Sequence, residues 1–579
     1  MKKSIPYAVA NYEELVQKDS YFVDKTHFIE KLEGISNPVF LRPRRFGKSL
    51  WCRLLELYYS ILHKDDFDQL FAHTYIGQHP TPLRNAYIVL HFDFSTIDPG
   101  NSTAEIEANF NHTCNLQMQT VVSLADAWFL QPGHDLVKIE LQDKAAANLE
   151  LILNTILRYN LPPLYVIIDE YDNFANQLIL ANQDQRYADL TGDDSFLKTF
   201  FKTLKQGRKT GAIANVFITG VLPVTMDELA SAFNVGSFLT LHPTFEQMLG
   251  FTETEVKQLL DQIYLDYEID PATRTEVDAV IKNHYDGYHF VTMQGEALYN
   301  STILMYFLQY FTEFKTIPKR LIDLNLKTDL SWVRRLTASN PALTEEFVNQ
   351  LTFHNNIYYD DILLVEKFDM HQFFEKNFFP ISFFYLGMLT KQDDFMLRLP
   401  NLTMRQIFIE YFNEIHHIDV STRYAEIMQA FVNQPDLERL FAGYWRKYVA
   451  QLPEAIFTQV NENFYRTTFF ELCSRHLSRW FTWNVERSYP KGKSDLEFVG
   501  KYHEKFAGLR WVIAFKYYSN TEFKRTFKTT LAEFALPEGD TAQIDGYSEG
   551  LRTEYPEAHI ERFVIYCIGN QGFRVFHIG

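Results

Sequence analysis

The chain is short of everything that staples a fold or threads it through a bilayer. Its 579 residues hold four cysteines, Cys52, Cys114, Cys473 and Cys567, far apart and without a CxxC pair. That excludes a disulfide framework and a zinc ribbon, and it points to a reducing compartment. No run reaches 18 apolar residues, and the best, Ile381–Leu389, is half that, so no spanning helix is expected. The start, Met1-Lys2-Lys3-Ser4-Ile5-Pro6, has two basic residues and no apolar stretch after them, so it is not read as a secretory signal. A cytoplasmic protein without membrane contact is the expectation. The 18 histidines form no HExxH and no defensible metal-ligand spacing, and no Gly-x-Ser-x-Gly occurs. No internal repeat and no Gly/Ser linker is visible, so the domains are expected to pack together.

What is abundant is apolar and aromatic: 46% hydrophobic, 16% aromatic, with 51 Phe and 33 Tyr. Such a chain builds large interiors and is neither disordered nor fibrous. Net charge is −18, so the average surface repels nucleic acid, and any nucleic-acid site must be a local basic patch.

Residues 1–250 alternate strand-like runs (Pro38–Leu41, Tyr87–Phe94, Leu164–Ile168, Ala214–Thr219) with helical stretches, among them Phe196–Lys209. That is the pattern of an α/β domain with a parallel sheet. Residues 250–450 read as mostly helical, 455–482 as one long helix, and the remainder as strands at Leu496–Val499, Leu509–Phe515 and Phe563–Cys567.

The first strand runs into Arg42-Pro43-Arg44-Arg45-Phe46-Gly47-Lys48-Ser49 and then a helical spacing. Strand, loop, Gly-Lys-Ser and helix form the P-loop context, in which backbone N–H groups cradle phosphates. Lys48 would reach the β/γ phosphates and Ser49 would ligate Mg2+, with Arg44, Arg45, Phe46 and Gly47 completing the cradle. Arg42 stands where the general pattern has Gly. The third strand ends in Asp169-Glu170-Tyr171-Asp172, a Walker B arrangement. Asp169 would hold Mg2+ and Glu170 would act as general base towards water. The Ala214–Thr219 strand is expected between these two strands, with Thr219 as a polar sensor near the γ-phosphate. ATP and Mg2+ are therefore the expected cofactors.

Tyr21-Phe22-Val23-Asp24-Lys25-Thr26, Arg42–Ser49, Ile168–Asp172, Tyr285-Asp286-Gly287-Tyr288, Leu298-Tyr299-Asn300-Ser301, Leu386–Thr390 and Leu399-Pro400-Asn401 resemble the bacterial AAA-ATPase-like proteins. In that family Arg42 is usual. The resemblance implies an AAA-like P-loop ATPase domain over 1–290 and a helical region over 291–450. It also implies an α/β restriction-endonuclease-like domain of the PD-(D/E)xK superfamily over 451–579. AAA relatives often form rings, so an oligomer is compatible with the resemblance, but no trans-acting arginine can be assigned.

The same resemblance implies that Asp495 is the nuclease aspartate and Lys516 its lysine. These would hold a second divalent metal beside a scissile phosphate and orient water. The (D/E)xK acid falls on Ala514, whose methyl cannot ligate metal. Strand alternation puts Glu497 on the same side as Asp495, as a replacement ligand. Glu486 and Gln543 also match recurrent family positions. Residues 501–530 carry seven basic and two acidic residues, interleaved with Tyr517, Tyr518 and Phe523, which suggests DNA or RNA contact. Two functions stay open: an ATPase coupled to a nuclease acting on nucleic acid, or an ATP-dependent switch whose nuclease-like domain only binds a partner.

Overall fold

The structure is a computed structural model describing residues 2–129, 143–225, 233–291, 293–321, 330–364, 368–420, 424–489, 492–502, 504–537, 539–541, 544, 550–552 and 555–578. Gln543 lies outside the described residues.

The first sheet contains β1 (Pro38–Leu41), β2 (Ile88–Asp93), β3 (Leu164–Asp169), β4 (Ile213–Gly220) and β5 (Ser237–Phe238). Its order is β2-β3-β4-β1-β5, and every pairing is parallel. Buried on both faces, these strands read as continuous apolar runs rather than alternating ones. Helix α1 (Lys48–Tyr59) covers one face, where Tyr59 stacks on Tyr165. Helices α2 (Thr103–Phe129), α3 (Ala145–Tyr159) and α4 (Phe196–Thr210) follow in the chain. On the opposite face Phe200 of α4 packs edge-on against Phe92 of β2 and Phe110 of α2. As expected, β4 separates the loop-bearing strand from the acid-tipped one, with Val39 opposite Ile218 and Ile168 opposite the same residue.

The middle of the chain is helical, and its described helices include α5 (Arg274–Tyr285), α6 (Ser301–Phe314), α7 (Pro341–His354) and α8 (Leu402–Ile415). It also carries a small antiparallel sheet of Asn356–Tyr358, Met396–Arg398 and Thr390–Lys391, which helical periodicity did not foresee. The expected helix over 455–482 is shorter. Asn461 caps it by accepting the Phe464 N–H, so α9 runs Glu462–Leu477 and a strand begins at Phe481.

The C-terminal sheet has the order β6 (Phe481–Val485), β7 (Leu496–Gly500), β8 (Leu509–Tyr518), β9 (His559–Ile568), β10 (Gly572–Ile578), mixed because β8 and β9 run parallel. Helix α10 (Asn520–Phe527) follows β8. Trp511, Ile513 and Phe515 of β8 join a core cluster that extends back to Tyr12, whereas Val512 and Ala514 join a second, smaller cluster. The regions are therefore packed into one another. Helix α5 also touches the C-terminal sheet directly: Asn283 donates to the Asn484 side chain at 3.1 Å, and the Tyr502 N–H donates to Glu276 at 3.3 Å.

Candidate functional site

Between β1 and α1 the loop must reverse direction while keeping its N–H groups inward. Two left-handed residues, Arg45 (φ 72°) and Gly47 (φ 94°), make that turn. The carbonyls that consequently face outward are capped from outside. The Thr302 N–H and Ser301 hydroxyl donate to the Arg45 carbonyl, the Asn300 amide donates to that of Arg44, and the Gly250 N–H donates to that of Phe46. With those acceptors satisfied, the loop offers donors to its concave side, which suits an anion.

Arg42 needs no left-handed backbone. Its guanidinium is buried between the Phe40 and Phe290 rings and donates to the carbonyls of Leu41, Thr240 and Glu246. It is a structural strut where the general pattern has Gly. Lys48 is buried and its ammonium donates to the carbonyls of Arg42 and Pro43 at 3.0 and 3.1 Å. Burial pulls its pKa down, against the opposing pull of Glu170, Asp169 and Asp172.

The acid-tipped strand ends beside this loop. Burial raises the Asp169 pKa, and a hydrogen bond from the Ser49 side chain is the first influence opposing it. Glu170 is likewise raised by burial and lowered by Lys48. Its backbone is left-handed (φ 50°), an uncommon state for a non-glycine residue that costs about 1–3 kcal/mol. Asp172 explains how this turn is held. Its buried carboxylate accepts from the N–H groups of Val221 and Leu222 and from Asn176. Thr219 does not offer its hydroxyl to the loop; it donates to the Phe40 carbonyl at 2.8 Å and is buried.

A cavity of about 410 Å³ opens next to the loop. Its polar end includes Arg44, Arg45, Lys48, Ser49 and Glu170, and its apolar walls include Val9, Phe22, Val23, Met248 and Met305. Such a cavity, apolar with a few convergent polar groups, is the usual form of a small-ligand site. The Tyr21–Thr26 stretch supplies one wall, a role the residues alone did not reveal.

The C-terminal pocket is built differently from expectation. Asp495 precedes β7 and accepts the Phe515 N–H at 2.8 Å. Glu497 faces the same side but is not available as a ligand. It is fully buried and accepts from Ser494, Asn484 and Arg510 at 2.7, 2.9 and 3.0 Å. Lys516 lies 3.9 Å from Asp540. Ala514 sits in the smaller apolar cluster. Two residues that sequence reasoning missed complete the pocket. Glu462, at the first position of α9, has a pKa pushed up to about 7 by burial and by Asp495, with Lys516 opposing. Arg466, one turn later, is buried and spans Glu486 at 3.0 Å and Asp495 at 3.6 Å. Glu486 is held well below the carboxylate range: burial opposes this, but Arg466, Arg405 and Lys493 outweigh it.

The basic stretch 501–530 is less exposed than its composition implies. Lys501 and Arg510 are buried, Arg510 between Glu497 and the Tyr555 ring. Phe523 is buried, Tyr517 stacks on Tyr465, and Tyr518 packs on Phe527, so these rings contribute to the core.

Sheet order, loop and acid-tipped strand together define a P-loop domain of the AAA-like class, followed by a helical region and a nuclease-like sheet. Residues 6–230 match the AAA-ATPase-like family, described as a predicted AAA-ATPase, and residues 460–577 match the PD-(D/E)XK nuclease superfamily. The chain thus joins an AAA-ATPase-like domain to a domain of the PD-(D/E)XK nuclease superfamily. No curated protein matches it. Among solved structures, "The walker-type ATPase PABY2304 of Pyrococcus abyssi" aligns at 10% identity over 71% of this chain and 98% of its own, with a TM-score of 0.40. Among the described residues, no helix is long and apolar enough to cross a membrane.

Proposed function

We propose that the chain binds and hydrolyses ATP and that its nuclease-like domain is a binding module driven by that cycle, with weak or no cleavage of its own. The observation that carries the first half is the cavity lined by Lys48, Ser49 and Glu170, beside which Ser49 and Lys48 both hold down the pKa of the buried Asp169 carboxylate. It joins loop hydroxyl, strand-end carboxylate and ammonium in one site, and these residues fit a triphosphate and its ion. The backbone donors of 44–49 and Lys48 would hold the phosphates, and Ser49 and Asp169 would hold Mg2+. The ion supplies charge neutralisation at the phosphates. Glu170, its pKa raised by burial, would orient water and take up its proton. The apolar walls would enclose the base. Replacing Glu170 by Gln keeps the shape and removes the base, so turnover falls by about 10²-fold or more while ATP binding persists. Unchanged turnover would remove Glu170 from this role.

Two features favour a module that does not cut. Ala514 offers no ligand, and Arg466 already neutralises Asp495 and Glu486 with a fixed cation where a metal-dependent site needs open carboxylates. A plasmid-nicking assay with Mg2+ or Mn2+ decides this. Nicking by the wild type that is lost in Asp495→Ala would reinstate a nuclease, with Glu462 in the place of the missing acid.

A further inference from the structure

A second set of metal-ligand atoms lies directly under the phosphate loop. The sulfur of Cys52 on α1, a ring nitrogen of His91 on β2 and a carboxylate oxygen of Asp169 on β3 all come within 4.8 Å of one another. Among the described residues no other three such groups approach this closely. Register explains the meeting. His91 pairs with Ile167 in the parallel ladder, two residues before the Asp93–Asp169 pair, so both side chains face α1.

The second observation is the state of the imidazole. His91 Nδ1 is 2.8 Å from Glu56 Oε2, and Glu56 is fixed in turn by Arg53 at 2.7 Å. His91 Nε2 is buried and has no hydrogen-bond partner. A histidine whose one nitrogen is oriented by a carboxylate, with its other nitrogen bare, is the arrangement found behind zinc ligands. The thiol is fully buried and makes no disulfide.

We infer that Cys52, His91 and Asp169 form a binding site for a borderline-soft divalent ion of the Zn2+ class. Sulfur, imidazole and carboxylate are the donors that such an ion prefers and that Mg2+ does not. Zinc bond lengths of about 2.0–2.3 Å place tetrahedral ligands about 3.3–3.8 Å apart, so atoms that lie within 4.8 Å of one another would close by up to about 1–1.5 Å, with water in the fourth position. Binding exchanges the thiol proton for the metal, and that proton leaves to solvent. Asp169 belongs to both sets, so Zn2+ here would withdraw it from the nucleotide's ion and slow turnover. That consequence, unlike the metal site itself, rests on the ATPase reading.

Cobalt(II) is the probe. Titrating metal-stripped full-length protein with Co2+ should give a thiolate-to-cobalt charge-transfer band that saturates at one equivalent and is displaced by Zn2+. Cys52→Ala should abolish the band, whereas Cys473→Ala, at a buried cysteine elsewhere, should retain it. Glu56→Gln should keep the band and weaken affinity by about 10–100-fold. Absence of the band in the wild type, or its survival in Cys52→Ala, overturns the site. Should Cys52→Ala fail to fold, His91→Gln replaces it, with loss of tetrahedral cobalt features expected and their persistence refuting. In turnover assays, Zn2+ should inhibit the wild type and spare Cys52→Ala. A protein that shows the band but no ATPase activity would refute the nucleotide reading and leave the metal site standing.

Discussion

Replacing Arg466 by Met tests whether an internal cation stands in for metal in the C-terminal pocket. Methionine keeps most of the volume and removes the charge. Arg466 is 5% exposed and bridges Glu486 and Asp495. Breaking a buried ion pair costs about 3–5 kcal/mol because the partner charge is left uncompensated. Here Glu486 retains Arg405 at 3.0 Å and Lys493 at 3.3 Å, so about 2–4 kcal/mol is expected at neutral pH. For a region of this size that corresponds to a fall of about 5–15 °C in the thermal midpoint. The pH dependence has a defined sign. The folded pKa of Glu486 lies below its ordinary 4.5, so its contribution is present above pH 4.5 and is lost as pH falls below it. The gap between wild type and variant should therefore narrow in acid. The Asp495 carboxylate, freed of Arg466, and the nearby Glu462 should now attract Mn2+, which should raise the variant's midpoint more than the wild type's. Scanning calorimetry at pH 7.5 and 4, with and without Mn2+, measures all of this. Equal midpoints at pH 7.5, or equal Mn2+ shifts in the two proteins, would refute the reasoning.

Three other substitutions probe the same structure. Asp172→Ala strands the buried N–H groups of Val221 and Leu222, so a loss of about 3 kcal/mol or more is expected from thermal unfolding, together with weakened ATP binding. Gly220→Ala places a Cβ 2.4 Å from Asp172 Oδ1 and 2.5 Å from the Tyr171 ring, and should be comparably destabilising in the same assay. Glu462→Gln acts through linkage. A carboxyl that titrates near 7 when folded and near 4.5 when unfolded loses stability as pH rises across that interval. The amide should therefore stabilise the protein at pH 8 by up to about 3 kcal/mol and do nothing at pH 4, as read from thermal midpoints against pH.

The loop and the acidic strand end were legible because each is a local pattern. A four-residue apolar strand, a Gly-Lys-Ser turn and a helical spacing sit within one stretch of chain, and Leu164–Asp169 states its own period. Glu462 and Arg466 were illegible for the opposite reason. They lie some 30 residues before Asp495, on a helix whose approach to the sheet no spacing encodes. Glu497 shows where alternation stops being informative: it fixes the face of a side chain but not the donors waiting there. The charge count over 501–530 overstates the exposed positive charge because linear composition ignores burial, and Lys501 and Arg510 are internal counterions to Glu276 and Glu497. Strands β6 and β10 were missed as well, β6 because the helical reading ran on to residue 482.

The scattered motifs beyond residue 250 acquire a common purpose once the loop is seen in three dimensions. Tyr288 meets the Phe46 ring edge-on, and Asn300, Ser301 and Thr302 hold the carbonyls of Arg44 and Arg45. Gly387 lies so close to Pro43 that a Cβ there would stand 2.5 Å from the proline ring. Asn401 donates to the Asp286 carbonyl and so ties the Leu399–Asn401 turn to the Tyr285–Tyr288 turn. These residues form a collar around the outer side of the phosphate loop, and α5, which ends at Tyr285, leads directly to Asn484 of β6 and to Tyr502 in the turn after β7. A change in the loop on binding phosphate therefore need not travel through the whole helical region; α5 offers a path one helix long. If that path couples the two ends, Asn283→Ala should leave ATP turnover intact and remove any dependence of the C-terminal domain's hydrogen exchange on ATP. Undiminished dependence in the variant would return the coupling to the helical region.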